Sequence, residues 1–241
     1  MINKVFLCGD RHGGFGSFNT VKNFTKAKEN DIIIVLGDAG INFTKTERDE
    51  KLLSFVNNLG TKFVCIRGNH DGNPKDWNYQ LKFDKDLDCK VWIKEQYPNV
   101  VFVPNGTVMN INDNRCLAVG GAYSPDKQWR LINNYTWFED EQINEEEKYN
   151  IIQILNKDNR FDYVFSHTAP YNFIPINQLS NSFTNIDKTT ELFLQKIYCA
   201  IDKEQFKGWY LGHYHIDKSY KEAKVHILYN YFMELGKNER I

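Results

Sequence analysis

The stretch "DIIIVLGD", residues 31–38, decides the fold. Its apolar residues run without a break from Ile32 to Leu36 and stop at Gly37-Asp38. A half-buried strand alternates apolar and polar positions. A continuous β-branched run predicts a strand covered on both faces, as in a parallel sheet flanked by helices. The same design stands on either side. "KVFLCGD", residues 4–10, ends in Gly9-Asp10, and "KFVCIRGNHD", residues 62–71, ends in Gly68-Asn69-His70-Asp71. The gaps are long enough for crossover helices. "FNTVKNFTKAKEN", residues 18–30, is expected to fill the first gap. "TKTERDEKLLSFVNNLG", residues 44–60, fills the second, with Thr46 as cap, Asp49 in the first turn, an apolar face of Leu52, Leu53 and Val56, and Gly60 as the stop. This is a βαβα arrangement with parallel strands, an α/β fold.

Farther along, the pattern loosens. "DLDCKVWIKEQY", residues 86–97, is expected as a helix. "NVVFVPNGTVMNINDNRCLAVGGAY", residues 99–123, reads as several short strands of an antiparallel or mixed sheet, with turns at Asn105-Gly106 and Asn112-Asp113. Residues 123–148 form a charged, aromatic insert, and a helix is expected from about Glu145 to Leu155. "FDYVFSHTAP", residues 161–170, is a strand ending in Ser166-His167. "IDKTTELFLQKIYCA" is a helix, "GWYLGHYH" a strand and loop, and "KVHILYNY" is expected to close the sheet. With no linker, repeat or low-complexity tract, a single domain over residues 1–241 is expected.

The length allows one sizeable core. The formal net charge of -1 and the lack of a long basic stripe argue against nucleic acid and against an anionic membrane surface. The opening "MINKVFLCGD" lacks the longer apolar run and cleavage site of a signal peptide, and no apolar stretch approaches membrane-spanning length. A cytoplasmic protein is expected. Cys8, Cys65, Cys89, Cys116 and Cys199 show no pair spacing and read as buried free thiols. Oligomeric state is left open.

The ends of the apolar runs carry the chemistry. Asp10 and His12 follow the first run, Asp38 the second, and Asn69, His70 and Asp71 the third. His167 follows the run at 161–165, and His213 and His215 follow the run at 208–211. Taken singly, Asp10 is also a helix cap, Asp38 a turn residue, Asn69 a tight-turn residue and His167 a packed loop histidine. Together they collect where open α/β sheets bind ligands, outside the carboxyl ends of the strands. Of the 6 histidines, five follow strand-like runs in this way. His226, inside the last run, reads as structural. The donors are carboxylate, imidazole and one amide, without thiolate. That set favours manganese, iron, zinc or a similar ion over a structural zinc knot. It is too large for one ion and suits two, with one carboxylate between them.

"GDRH", "GD" at 37–38, "GNHD", "SH" at 166–167 and "GHYH", in this order along nearly the whole chain, resemble the calcineurin-like metallophosphoesterase family, in particular its small bacterial and phage-type members. The resemblance implies a four-layer α/β/β/α sandwich with two mixed sheets flanked by helices. It assigns Asp10, His12 and His215 to one ion, Asn69, His167 and His213 to a second, and Asp38 to the bridge. Manganese, or iron with zinc, are the implied metals. His70 is the expected proton donor to the leaving group, with Asp71 either orienting it or tying down the loop. The protein serine/threonine phosphatases of this superfamily carry an arginine shortly after the second aspartate. Here "AGINFTKTERD" follows Asp38, without an arginine at that short spacing.

Arg11, Lys127 and Arg130 are candidate substrate contacts, and the insert at 123–148 is expected near the pocket rim. The expected activity is hydrolysis of a small phosphomonoester or phosphodiester by metal-activated water. A phosphoprotein substrate is the second choice and a non-catalytic metal-binding scaffold the third. "GDRHGGFG" places Asp10 and His12 where a dinucleotide pyrophosphate needs bare backbone, which argues against an oxidoreductase.

Overall fold

The computed structural model describes residues 2–16, 27–179 and 186–237. Strands β1 (Val5–Cys8) and β2 (Ile32–Leu36) are followed by helix α1 (Glu47–Asn57) and β3 (Lys62–Ile66). A hairpin of β4 (Gln80–Asp84) and β5 (Cys89–Ile93) leads to β6 (Val100–Val103), β7 (Thr107–Ile111) and β8 (Asn114–Val119). Helices α2 (Lys127–Ile132) and α3 (Glu145–Lys157) precede β9 (Tyr163–Ser166), α4 (Thr189–Ala200) and β10 (Gly208–Leu211). Three short strands follow: β11 (Lys218–Tyr220), β12 (Val225–Ile227) and β13 (Met233–Glu234). The helix expected in the first gap falls largely on residues 17–26, outside the described residues.

Two mixed sheets result. The first has 7 strands in the order β13-β1-β2-β3-β6-β5-β4, and the second has 6 in the order β11-β12-β10-β9-β8-β7. β1, β2, β3 and β6 run parallel, in the register Val5↔Ile32 and Ile32↔Lys62. β8, β9, β10 and β12 run parallel in the second sheet. The continuous apolar runs divide by parity. Ile32, Ile34 and Leu36 face a core shared with Met109, Ala118, Phe165 and Tyr210 of the other sheet. Ile33 and Val35 face outward onto a second core with Leu53 and Val56 of α1. The outer face of the second sheet, including Val164, Trp209 and Leu211, packs on Ile151 of α3 and Leu194 and Ile197 of α4. The layers are therefore α/β/β/α. Each fully buried aliphatic side chain contributes roughly 1.5–3 kcal/mol relative to exposure, which makes the two-sided runs the main source of sheet stability.

Several local expectations hold in detail. Thr46 caps α1, its side chain accepting from Arg48 N. Asn144 and Glu147 form a reciprocal capping box at the start of α3. Asn112 and Asp113 both take the left-handed conformation, φ 50° and 63°, as the β7–β8 turn requires.

Others are corrected. Residues 86–97 are not a helix. Cys89, Val91 and Ile93 face the inter-sheet core and Trp92 the outer one, a period of two set by pairing of β5 with both β4 and β6. Asp84 accepts from the N–H groups of Asp86 and Leu87, making the turn that the helical reading overlooked. The strands of 99–123 do not share one sheet, because β6 stays in the first and β7–β8 enter the second. β12 does not close its sheet either, since β11 pairs along its outer edge. Cys199 is exposed while the other four cysteines are buried, and all five are free. No helix among the described residues is long and apolar enough to cross a membrane.

Candidate metal centre

The loops after β1, β2 and β3 meet those after β9 and β10 at the seam between the two sheets. Two contacts fasten the seam. His167 Nδ1 lies 2.9 Å from the Leu36 carbonyl oxygen, and His213 N donates to Asp10 Oδ1 at 2.7 Å. The fit depends on bare glycines. A Cβ on Gly212 would lie 2.2 Å from Asp10 Oδ1, and one on Gly37, whose φ is +92°, would lie 2.0 Å from His167 Nδ1.

All seven expected ligands converge there. His12 Nε2 and His215 Nε2 are 3.0 Å apart, and His215 Nε2 is 3.0 Å from Asp10 Oδ2. Potential donor atoms of Asp10, His12 and His215 lie within 4.8 Å of one another, as do those of Asp10, Asp38 and His167. Asp38 sits between the groups, with Oδ2 3.9 Å from His12 Nε2 and Oδ1 3.6 Å from His167 Nε2. The His213 ring lies 4.9 Å from that of His167. His12, Asp38, His213 and His215 all have left-handed backbones, with φ between 47° and 69°. Such conformations are uncommon outside glycine and collect at functional sites.

The hydrogen bonds show what the arrangement accommodates. A carbonyl only accepts, so His167 Nδ1 donates to the Leu36 oxygen. The Nε2 of the same ring is 2.8 Å from Asn69 Oδ1. The amide orientation is fixed from behind. Asn69 Nδ2 donates to Ser124 Oγ, and Ser124 Oγ donates to Glu141 Oε2. Trp137 Nε1 donates to the same carboxylate oxygen at 2.8 Å. His167 Nε2 and Asn69 Oδ1 thus join the carboxylates and the other imidazoles as a mixed nitrogen and oxygen donor set. The donor set therefore fits metal binding, with the Leu36 carbonyl and the Glu141–Ser124 pair as outer supports.

Charge is distributed unevenly. Burial raises the Asp10 pKa, but the hydrogen bond from His215 and the nearby histidines outweigh it and hold the carboxyl below its usual range. Burial, reinforced by Asp10 and Asp71, pushes Asp38 up. Burial and the neighbouring His167 lower His213, whereas the bond to Asp10 raises His215. Such opposed shifts are those expected of carboxylates and imidazoles packed together out of water.

His70 and Asp71 part company. Asp71 is fully buried, and its oxygens accept from the N–H groups of Ala39, Gly40 and Gly68. It clamps the β2 and β3 loops together instead of orienting His70. His70 lines the cavity, and its backbone N–H donates to Asp38 Oδ1 at 2.8 Å. Burial, with the charge of Arg130, lowers the His70 pKa to about 3, and Asp126 opposes this. Its Nε2 faces Asn69 Nδ2 at 3.2 Å, so the neutral ring carries its proton on Nδ1.

The three candidate substrate cations are engaged elsewhere. Arg11 donates to the carbonyls of Gly9, Asp10 and Tyr229. Lys127 lies 4.1 Å over the Trp137 ring. Arg130 bonds Asp126 and the Thr136 carbonyl. Arg67, before "GNHD", pairs with Asp140. His226 stacks on Tyr210, away from the cluster. Ser124, Asp126, Trp129 and Glu141 were not singled out from the sequence. They lie in the insert, where only the fold reveals which residues turn inward. Above the ligands opens a cavity of about 580 Å³, with Asp38, Asn69, His70, His213 and His215 on its floor.

The chain matches the family model described as calcineurin-like phosphoesterase over residues 3–217. Among solved structures it is similar to the protein of unknown function AQ665 from Aquifex aeolicus, at 14% identity and a TM-score of 0.33, over 68% of this chain and 80% of that one. The search of curated proteins returned no match.

Proposed function

The chain belongs to the calcineurin-like phosphoesterase family, and on that premise we propose that it is a two-metal hydrolase of small phosphate esters. Asp10, His12 and His215 would hold one ion, Asn69, His167 and His213 the other, and Asp38 would bridge them. When bound, the ions supply Lewis acidity, acidifying water and drawing charge from the phosphoryl oxygens. Manganese, or iron with zinc, suits the mixed oxygen and imidazole donors.

The chain's own groups do the positioning. Asp38 presents one oxygen to each side of the cluster. Asp71 fixes the loops that carry Asp38 and Asn69. We assign His70, which lines the cavity, as the group that would deliver a proton to the leaving oxygen; it would do so as the imidazolium, which the negative charge of a bound ester favours against burial and the charge of Arg130. The observation that carries the reading is the convergence of Asp10, His12 and His215, and of Asp10, Asp38 and His167, each set with potential donor atoms within 4.8 Å of one another.

The test combines elemental analysis of the purified protein with hydrolysis of p-nitrophenyl phosphate and bis(p-nitrophenyl) phosphate in manganese and after chelation. Two ions per chain and a chelator-sensitive release of p-nitrophenol are expected. A chain that takes up no divalent ion at neutral pH overturns the proposal.

A further inference from the structure

The floor of the cavity defines the reacting end of a substrate, and one wall speaks to the other end. Trp129 lines that wall with 53% of its surface exposed. A large amphipathic ring left half open at a cavity mouth is a frequent binding anchor. The turn that carries this indole is also held in place. The Trp129 carbonyl accepts from Asn133 N and Nδ2, and the Tyr135 ring backs the indole at a centroid distance of 4.8 Å. Arg130, next in the chain, is tied to Asp126 and Thr136, which fixes the helical turn.

The surroundings narrow the ligand. Pro125 and Leu179 add apolar surface to the lining, and Asp126 and Gln178 add a carboxylate and an amide. Among the described residues, the cavity lining contains no lysine or arginine. Such a wall is poorly suited to a second anionic group. It suits a planar, uncharged ring with hydrogen-bonding groups on its edge. The volume, about 580 Å³, lies within the range of small-molecule sites, roughly 300–1,000 Å³.

We propose that this wall is a nucleobase subsite, with the base stacked on Trp129 and its edge read by Asp126 and Gln178, so that the substrate is a nucleoside phosphate ester. The inference rests on the phosphoesterase reading of the floor.

Two diesters separate the two ideas: thymidine 5′-(p-nitrophenyl phosphate) and methyl p-nitrophenyl phosphate. Both lose the same p-nitrophenolate, so the ratio of their kcat/KM values reports the nucleoside, and the change in that ratio when Trp129 is replaced reports the stacked base. Stacking predicts a ratio of about tenfold in favour of the nucleoside. Trp129→Ala should bring it close to one, and Trp129→Phe should leave it in between. An unchanged ratio in both variants overturns the subsite.

If neither diester nor p-nitrophenyl phosphate is cleaved with metal present, the phosphoesterase reading fails. The subsite is then read by calorimetric titration with thymidine 5′-monophosphate against ribose 5-phosphate. Tighter binding of the nucleotide, lost in Trp129→Ala, supports it, and equal binding of the two ligands overturns it.

Discussion

The ligand cluster at and beneath the cavity floor comes from five loops that follow buried strands, whereas the insert wall comes from one charged segment between β8 and α3. On the floor, loops from both sheets interlock, and four ligand residues adopt left-handed backbones. In the insert, cations are engaged by their neighbours, Arg130 by Asp126 and Lys127 by the Trp137 ring, while Trp129 stays open. The floor is fixed by contacts between distant parts of the chain, whereas the insert combines contacts within itself with ties to distant segments such as Arg67–Asp140 and Gln142–Thr190. On the proposed reading, chemistry and selectivity would occupy regions of different construction, joined by a buried chain of bonds through Trp137, Glu141, Ser124 and Asn69 and by the Arg67–Asp140 pair.

The largest effect should come from the centre of the floor. Asp38→Asn keeps the side chain's shape, and asparagine tolerates the left-handed backbone at φ 49°. What changes is charge. Removing one partner from a buried charged cluster costs about 3–5 kcal/mol, so turnover should fall on the order of a thousandfold, with loss of bound metal. Elemental analysis and kcat/KM together check this, and near-normal values in both would break the assignment of Asp38 as the bridge.

Next in size is the link between the regions. Glu141→Ala frees Ser124 Oγ and Trp137 Nε1, and so loosens the amide of Asn69. Loss of an outer support of this kind typically costs about 10–100-fold in metal affinity. Calorimetric titration with manganese measures it. Unaltered affinity for both ions would mean that insert and floor are independent.

The sequence is informative where function is written in consecutive residues. Gly-Asp, "GNHD" and "GHYH" each stand at the end of a run whose apolar content alone sets its burial, so the floor is legible in the order of residues itself. The insert is not legible in this way. Its acids and cations look alike in sequence, and only the fold shows that Asp126 faces the cavity while Asp140 pairs with Arg67. Residues 86–97 mislead for a related reason. Their alternating burial depends on pairing with β4 and β6, which a local period does not reveal. Asp71 illustrates a further limit, because its place beside His70 in the chain conceals that its oxygens point to the β2 loop.

A smaller effect, on stability, tests the support beneath the floor. Glu191 is 1% exposed, and its Oε1 accepts from Thr168 Oγ1, beside His167. Burial raises its pKa from 4.5 to about 7. A carboxyl whose pKa is raised by folding binds its proton more tightly in the native state. Its contribution is therefore fully present below about pH 4.5 and is lost as pH rises through about 7. Glu191→Gln, which cannot ionise, should flatten that decline, by about 1–3 kcal/mol between pH 5 and pH 8. Urea unfolding of the chelator-treated proteins at the two pH values reads the difference, and parallel declines would remove Glu191 as its source.

The smallest effect belongs to the insert, at Lys127. Its sequence position beside the cavity made it a candidate phosphate contact. The structure instead places Nζ 4.1 Å over the Trp137 ring and 5.7 Å from the centre of the Tyr123 ring. A cation held on an aromatic face contributes about 0.5–1 kcal/mol at exposed sites. Lys127→Met keeps the apolar stem against both rings and removes only the charge. If the ammonium is occupied with Trp137, kcat/KM for p-nitrophenyl phosphate should change by less than about threefold, and the thermal midpoint by a few degrees at most. A direct contact to a phosphoryl oxygen behaves differently. Charge-assisted hydrogen bonds contribute about 1.5–3 kcal/mol, so their loss would raise KM by tenfold or more. A steep rise in KM would therefore place Lys127 with the floor, in spite of where its side chain rests.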